Sequence, residues 1–376
     1  MPQSDDGPAW AALTRCPCLS PTTLTRAFDT LDGAAGIIAA SDSLRARARL
    51  PPPAREFLRG DSAQPTAHEC AWLGGPQHHL LPFSDPRFPK MLLAIPDCPI
   101  ALYVVGAAEA LSDPQIAIVG SRNPTPQGKQ TAHDFAQFLA GRGLAITSGL
   151  AEGIDSAAHA GALAAQGCTL GVLGTGIDIV YPRANATLRD AIGKFGALVS
   201  EFPLGSPPKK CHFPRRNRLI AGLALGTLVV EAARRSGSLI TARFAGEQGR
   251  EVFAVPGSIH NPLARGCHDL IRQGAKLTET AHDILRELDF SAFFSAQQCH
   301  PGAPAEPANL EAGMDKDQKI LLDALGFDPT DLDGLVVRTG FKAQAVSSMI
   351  LILELEGHVQ AAPGGRYSRV ANRSRR

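Results

Sequence analysis

An α/β architecture built on a parallel, Rossmann-like sheet is what this sequence predicts, and three observations carry the prediction. Short apolar runs recur at regular intervals: IAIVG (116–120), LAITSG (144–149), TLGVLG (169–174), ALVSEF (197–202), TLVVEA (227–232) and EVFAVPG (251–257). Helix-like stretches separate them, at 127–141, 154–166, 184–194, 214–225 and 238–248. The runs are apolar throughout rather than alternating, as expected of strands covered on both faces by helices.

The flanks read differently. Residues 8–85 form short helical segments, with turns at Leu50-Pro51-Pro52-Pro53 and Gly74-Gly75-Pro76. Ser20 is placed to cap a helix whose first position is Pro21. The Rossmann-like domain then occupies 86–290. Residues 291–312 are rich in Ala, Pro and Gln, a composition suited to an extended linker. From 313 to 376 the pattern gives three helices and a hairpin turning at Pro363-Gly364-Gly365, the outline of a winged helix.

Composition limits the function. The 376 residues suffice for two or three domains, and an apolar fraction of 44% supports buried cores. Net charge is only +1, so any surface for a polyanion has to be a local patch. The eight cysteines form no C-x-x-C pair, and Cys16-Pro17-Cys18 is too tight for zinc, so no metal site is expected. Scattered cysteines fit a reducing cytosol. The start, MPQSDDGPAW, lacks a basic-then-apolar signal region, and no apolar run approaches the ~18–20 residues of a membrane span. The expectation is a cytoplasmic protein with no membrane contact.

In open parallel sheets ligands bind beyond the carboxyl ends of the strands. Gly120-Ser121-Arg122 follows the first run: glycine lets an oxyanion approach, Ser121 adds a hydroxyl, and Arg122 a planar fork suited to phosphate. The bland alternative is a tight turn with a solvated arginine. Only Gly120 and Gly128 appear, so this is not the G-x-G-x-x-G dinucleotide fingerprint. In SGLAEGIDSAAHAGAL (148–163), Ser148-Gly149 ends a strand, and Asp155 and His159 share a helix face at i, i+4. With no third ligand and no nucleophile elbow, a helix-start hydrogen-bond network is the expected role rather than a metal site or triad. The loop carrying Gly174 and Gly176 again follows a strand, with Asp178, Tyr181, Pro182 and Asn185 as its walls.

The segment PPKKCHFPRRNRLIAGLA (207–224) says most. Lys209, Lys210, Arg215, Arg216 and Arg218 cluster around Phe213 and Asn217 with no acid among them. Cations that track phosphates and an aromatic face that stacks on a base are what a single-stranded nucleic-acid groove needs. Ser236-Gly237-Ser238 opens a further helix, a second anion-binding terminus. Glu231 and Glu247 could serve acid–base chemistry, but nothing in the sequence pairs them, and structural ion pairs are the expected role.

Taken in order, GSR, SGLAEGIDSAAH, LGTGIDIVYPRAN, SEFPLG, FPRRNRLIAGL, VVEA, SGSLITA, EQGREVFAVPG and LIRQGAKL resemble the DprA/Smf family of DNA-processing proteins over about 85–285. The resemblance implies a protein that binds and protects single-stranded DNA during natural transformation and recombination, and that helps load the recombinase RecA. It implies a homodimer, no cofactor and no catalytic activity. It places DNA contacts on Arg122, Lys210, Phe213, Arg216 and Arg218. It also implies a sterile-alpha-motif-like N-terminal domain. The C-terminal segment departs from a duplex reader: 342–356 offers Lys342 alone against Glu354 and Glu356. A nucleotide-processing enzyme resembling the phosphoribohydrolases is the competing reading. That family's PGGxGTxxE loop has no counterpart here, where SGSLITA stands near the matching place. A third reading is a regulator that uses the winged helix on duplex DNA.

Overall fold

The computed structural model describes residues 6–288, 315–326, 329–362 and 364–370. The expected linker at 291–312 and Pro363 of the hairpin turn lie outside the described residues. The first compact unit of the chain holds the N-terminal helices and the sheet, and the second is built on the C-terminal segment.

Six short helices open the chain: α1 (Gly7–Thr14), α2 (Pro21–Phe28), α3 (Gly33–Ala39), α4 (Asp42–Arg47), α5 (Pro52–Arg59) and α6 (Ala67–Leu73). Ser20 caps α2 by accepting from the Thr23 N–H, and Thr66 with Glu69 forms a capping box on α6. None of these helices is long enough to be stable alone, so packing holds them. Trp10, Leu13, Leu24, Ile37 and Leu58 build their core. Phe83 joins it from the α/β part, edge-on to Trp10 at 6.0 Å and stacked on Phe28 at 6.5 Å. Arg45 is buried, and its guanidinium donates to the carbonyls of Ile37, Ile38 and Leu58.

Next come β1 (His78–Pro82), α7 (Lys90–Leu93), β2 (Ala101–Gly106), β3 (Gln115–Val119), α8 (Pro126–Ala140), β4 (Ala145–Ser148), α9 (Ile154–Ala164), β5 (Thr169–Val172), α10 (Ala186–Phe195) and β6 (Ala197–Ser200). They continue as α11 (His212–Leu223), β7 (Gly226–Val229), α12 (Ser238–Glu247), β8 (Glu251–Ala254), α13 (Arg265–Arg272), β9 (Lys276–Leu277) and α14 (Ala281–Glu287). The nine strands form one sheet in the order β1-β2-β6-β5-β4-β3-β7-β8-β9. From β6 to β9 the pairs are parallel, as the apolar runs imply. The β1–β2 and β2–β6 pairs are antiparallel. β1 therefore belongs to the sheet although it falls inside the span read as helical, 8–85. Its sequence, HHLLP, breaks the apolar pattern, and a five-residue strand beside helices gives little periodicity to read.

The chain lays β4, β5 and β6 on one side of β3, then crosses to lay β7, β8 and β9 on the other. The strand order reverses between β3 and β7, so the loops after these two strands part and leave a crevice at the carboxyl edge.

The C-terminal unit contains α15 (Lys316–Leu325), β10 (Thr330–Asp331), α16 (Leu332–Thr339), α17 (Ala343–Leu355), β11 (Val359–Ala362) and β12 (Arg366–Arg369). Its sheet order is β10-β12-β11. Leu321, Leu325, Leu335, Val346, Ile350 and Leu353 form a core of its own, giving the expected three helices and hairpin. Among the described residues no single helix is long and apolar enough to cross a membrane.

Candidate nucleic-acid interface

The crevice between the loops after β3 and β7 is a cavity of about 430 Å³. Gly120, Ser121 and Arg122 line one side, Ser236, Gly237 and Ser238 the other, and Phe213, Arg216 and Asn217 the floor. Helical periodicity sorts the side chains of α11. Positions 213, 216, 217 and 220 recur at three to four residues and face the crevice. Positions 215 and 218 fall on another face and meet Glu201, just past β6.

This sorting splits the basic cluster. Lys209 and Lys210 are exposed on the turn that leads into α11. Arg122 is exposed, its guanidinium 5.5 Å from the centre of the Phe213 ring. Arg218 is buried against Glu201 and reaches Asp97 at 3.2 Å, and Arg215 lies 3.3 Å from the same Glu201 carboxylate. Arg215 and Arg218 are not among the walls of the crevice.

Arg216 lies under the crevice, 4% exposed. Its guanidinium donates to the carbonyls of Gly149 and Val172, tying the ends of β4 and β5 together. Burial pushes its pKa down to about 10, so it stays cationic at neutral pH. Gly149 leaves room for this contact, because a Cβ there would meet the Arg216 guanidinium and displace it.

Of the pair at Asp155 and His159, Asp155 forms the expected helix-start network, and His159 does not join it. The Asp155 carboxylate accepts from the Gly149 and Ala151 N–H groups at 3.1 and 3.4 Å. Burial raises its pKa, opposed by Arg216 and those N–H groups. His159 turns the other way, with Nδ1 2.7 Å from the Thr169 hydroxyl, which itself donates to the Ile146 carbonyl. Thr169 spends its proton on that carbonyl, so Nδ1 must carry the imidazole hydrogen. Gly153, at φ +87°, turns the loop so that the Ile154 N–H reaches the Ser121 carbonyl at 3.1 Å. The loops after β3 and β4 are thereby joined.

On the far side, Ser236 and Ser238 share a hydroxyl–hydroxyl hydrogen bond of 2.7 Å at the start of α12. The Asn217 amide donates to the Gly237 carbonyl at 3.4 Å and holds this terminus against α11. The structure adds a cation that the sequence reading passed over: Arg235 is exposed and lines the crevice. Two adjacent arginines on the loop after a strand, directly before Ser-Gly-Ser, were the available signal. Arg234 is diverted to Asp269 at 3.0 Å. Glu231 packs its carboxylate against Gly128 of α8. A smaller cavity of about 120 Å³ adjoins, lined by Arg122, Gly149, Glu152, Gly174, Tyr181 and Phe213 among others.

The family model of DNA recombination-mediator protein A matches residues 79–289, beginning at β1, and that of the DprA winged-helix domain matches 301–365. The chain belongs to the DprA/Smf family. Protein Smf of Escherichia coli (strain K12) is 45% identical over 300 residues, which is 78% of each chain. DNA processing protein DprA of Streptococcus pneumoniae is 48% identical over 206 residues, 55% of this chain and 73% of the relative. The X-ray structure of that DprA superposes with a TM-score of 0.64 at 36% identity, covering 74% of this chain and 97% of the other. A second DprA structure, from Helicobacter pylori, was solved to describe its single-stranded DNA binding mode. It superposes with a TM-score of 0.52 at 30% identity over 57% of this chain.

Proposed function

We propose that this DprA/Smf chain binds single-stranded DNA in the crevice between β3 and β7, protects it, and hands it to RecA during recombination, working as a homodimer without catalysis or cofactor. One observation carries the reading: exposed Arg122 and Arg235, the start of α12 and the Phe213 ring converge on a single crevice. Phosphates meet cations and N–H groups there while a base meets an aromatic face. Lys209 and Lys210 extend the basic track at the head of α11. Arg216 serves as a strut beneath it, and Arg215 and Arg218 are held by Glu201.

The binding reading is favoured over an enzyme by where the acids and bases go. Asp155 is committed to loop N–H groups, His159 to Thr169, and Glu231 to the flank of α8. A general base must reach the proton it takes: Asp155 lines the crevice but its carboxylate is held by two loop N–H groups, and His159 and Glu231 are not among the crevice walls.

The test is fluorescence anisotropy on single strands and matched duplex across a salt series. Single strands bind more tightly, and affinity falls steeply with salt. Arg122→Ala and Lys210→Ala each weaken binding and lower the slope of log K against log salt by about 0.7, the value for one single-strand phosphate. Parent-like binding by both variants at matched salt removes the assignment. Release of free base from nucleoside monophosphates would revive the phosphoribohydrolase-like reading.

A further inference from the structure

The 120 Å³ cavity beside the crevice has a different chemistry from the crevice itself. Its walls are the Tyr181 and Phe213 rings, 5.7 Å apart and tilted 42°, with Leu173, Gly174 and Pro182. It is smaller than the ~300–1,000 Å³ typical of whole-ligand pockets. One flat ring system suits it better than a nucleotide.

Glu152 also lines this cavity, and with Arg122 it lines the 660 Å³ outer cleft beyond. Its side chain is exposed and makes no hydrogen bond or ion pair among the described residues. Neighbouring acids are engaged: Asp155 by loop N–H groups, Asp178 by the Gly205 N–H at 2.9 Å, and Glu201 by two arginines. The backbone on either side of Glu152 is held, by the Ala151 N–H to Asp155 and by the Ile154 N–H to Ser121. A carboxylate is thus kept available beside a pocket in a site otherwise built for a polyanion. It repels a phosphate but accepts from the N–H groups of a base.

We propose that this cavity receives one unstacked base of the bound strand and that Glu152 selects bases with an amino group on the Watson–Crick edge, guanine foremost. The inference rests on the crevice being a single-strand site. Unstacked bases are read by stacking on aromatic rings and hydrogen bonding along that edge. Guanine offers two adjacent N–H donors to the two carboxylate oxygens, and cytosine and adenine offer one amino group each. Thymine offers its single N–H between two carbonyl oxygens, which a carboxylate repels.

The experiment measures full-length protein and its Glu152→Ala and Glu152→Gln variants by anisotropy on oligo-dT and on an alternating dT/dG strand of equal length. The parent protein prefers the guanine-bearing strand by about fivefold or more, the effect of roughly one kcal/mol. Glu152→Ala brings the ratio close to one, mainly by tightening oligo-dT, and Glu152→Gln gives an intermediate ratio. An equal affinity of the parent for both strands overturns selection by Glu152. So does an Ala variant that tightens both strands by the same factor, since the carboxylate then acts only as a repelling charge. Loss of binding to both strands at low salt sinks the single-strand reading itself.

Discussion

Arg216 and Arg218 belong to one motif and both are buried, while the exposed Arg122 and Arg235 come from loops after strands. Burial changes what an arginine is for. Arg216 spends its donors on the Gly149 and Val172 carbonyls and lies close enough to Asp155 to influence its charge. Removing one partner from such a buried set typically costs about 3–5 kcal/mol. Arg216→Met is therefore expected to lower unfolding free energy by about that amount in urea titration. Its single-strand affinity should fall with the salt slope unchanged, in contrast to Arg122→Ala. Parent-like stability would show that the guanidinium is not a strut. The sequence shows five cations in ten residues and no acid, which reads as one patch. Glu201, which takes up Arg215 and Arg218, lies 14 and 17 residues upstream on another strand end. Only the crossover from β6 to α11 brings them together. Phe213 and Arg122 were legible because their residue types carry their chemistry wherever they stand. Arg235 went unremarked because its neighbour, Arg234, looks the same in sequence and is paired in space.

At the level of elements, α9 is fixed to the sheet by a polar link inside an apolar layer. His159 on α9 meets Thr169 of β5, and Thr169 meets Ile146 of β4, all buried. Burial depresses the imidazole pKa to about 3, with Arg216 adding to the effect. The unfolded chain takes up this proton below about 6.5, and the folded chain does not. The contribution to stability is complete above that pH and is lost as pH falls towards 3, by up to ~1.4 kcal/mol per pH unit. Comparing unfolding free energies of parent and His159→Gln from pH 7 to 5 checks this. The difference shrinks with acid, and a constant difference would mean that His159 titrates normally. The six central strands were legible because each is a short apolar run between amphipathic helices. β1 and β2 were not: their partners are antiparallel, and β2 pairs with β6 nearly a hundred residues away.

For the whole molecule, the two units have separate cores. In the C-terminal unit, α17 exposes Leu351 and Leu355 beside Glu354 and Glu356, with Lys342 at its cap. Phosphate contacts need cations, so this helix is expected to add little to DNA affinity. Deleting 313–376 is expected to leave single-strand affinity within about twofold, as for independent sites. A tenfold loss in anisotropy would give the winged helix a direct share in binding. The crossover that creates the crevice also has a consequence for how the protein is made. β3 pairs with β4 soon after both are synthesised, but its other neighbour, β7, pairs Gly226 with Ile116. A chain emerging from the ribosome therefore carries β3 with one edge open for more than a hundred residues. It gains both lips of the crevice only when α12 arrives. Long-range parallel pairing of this kind is slow and leaves apolar edges exposed meanwhile. The second lip of the crevice thus arrives only with the late step that closes the sheet, and a chain that ends before β7 lacks the Arg235–Ser238 side of the site.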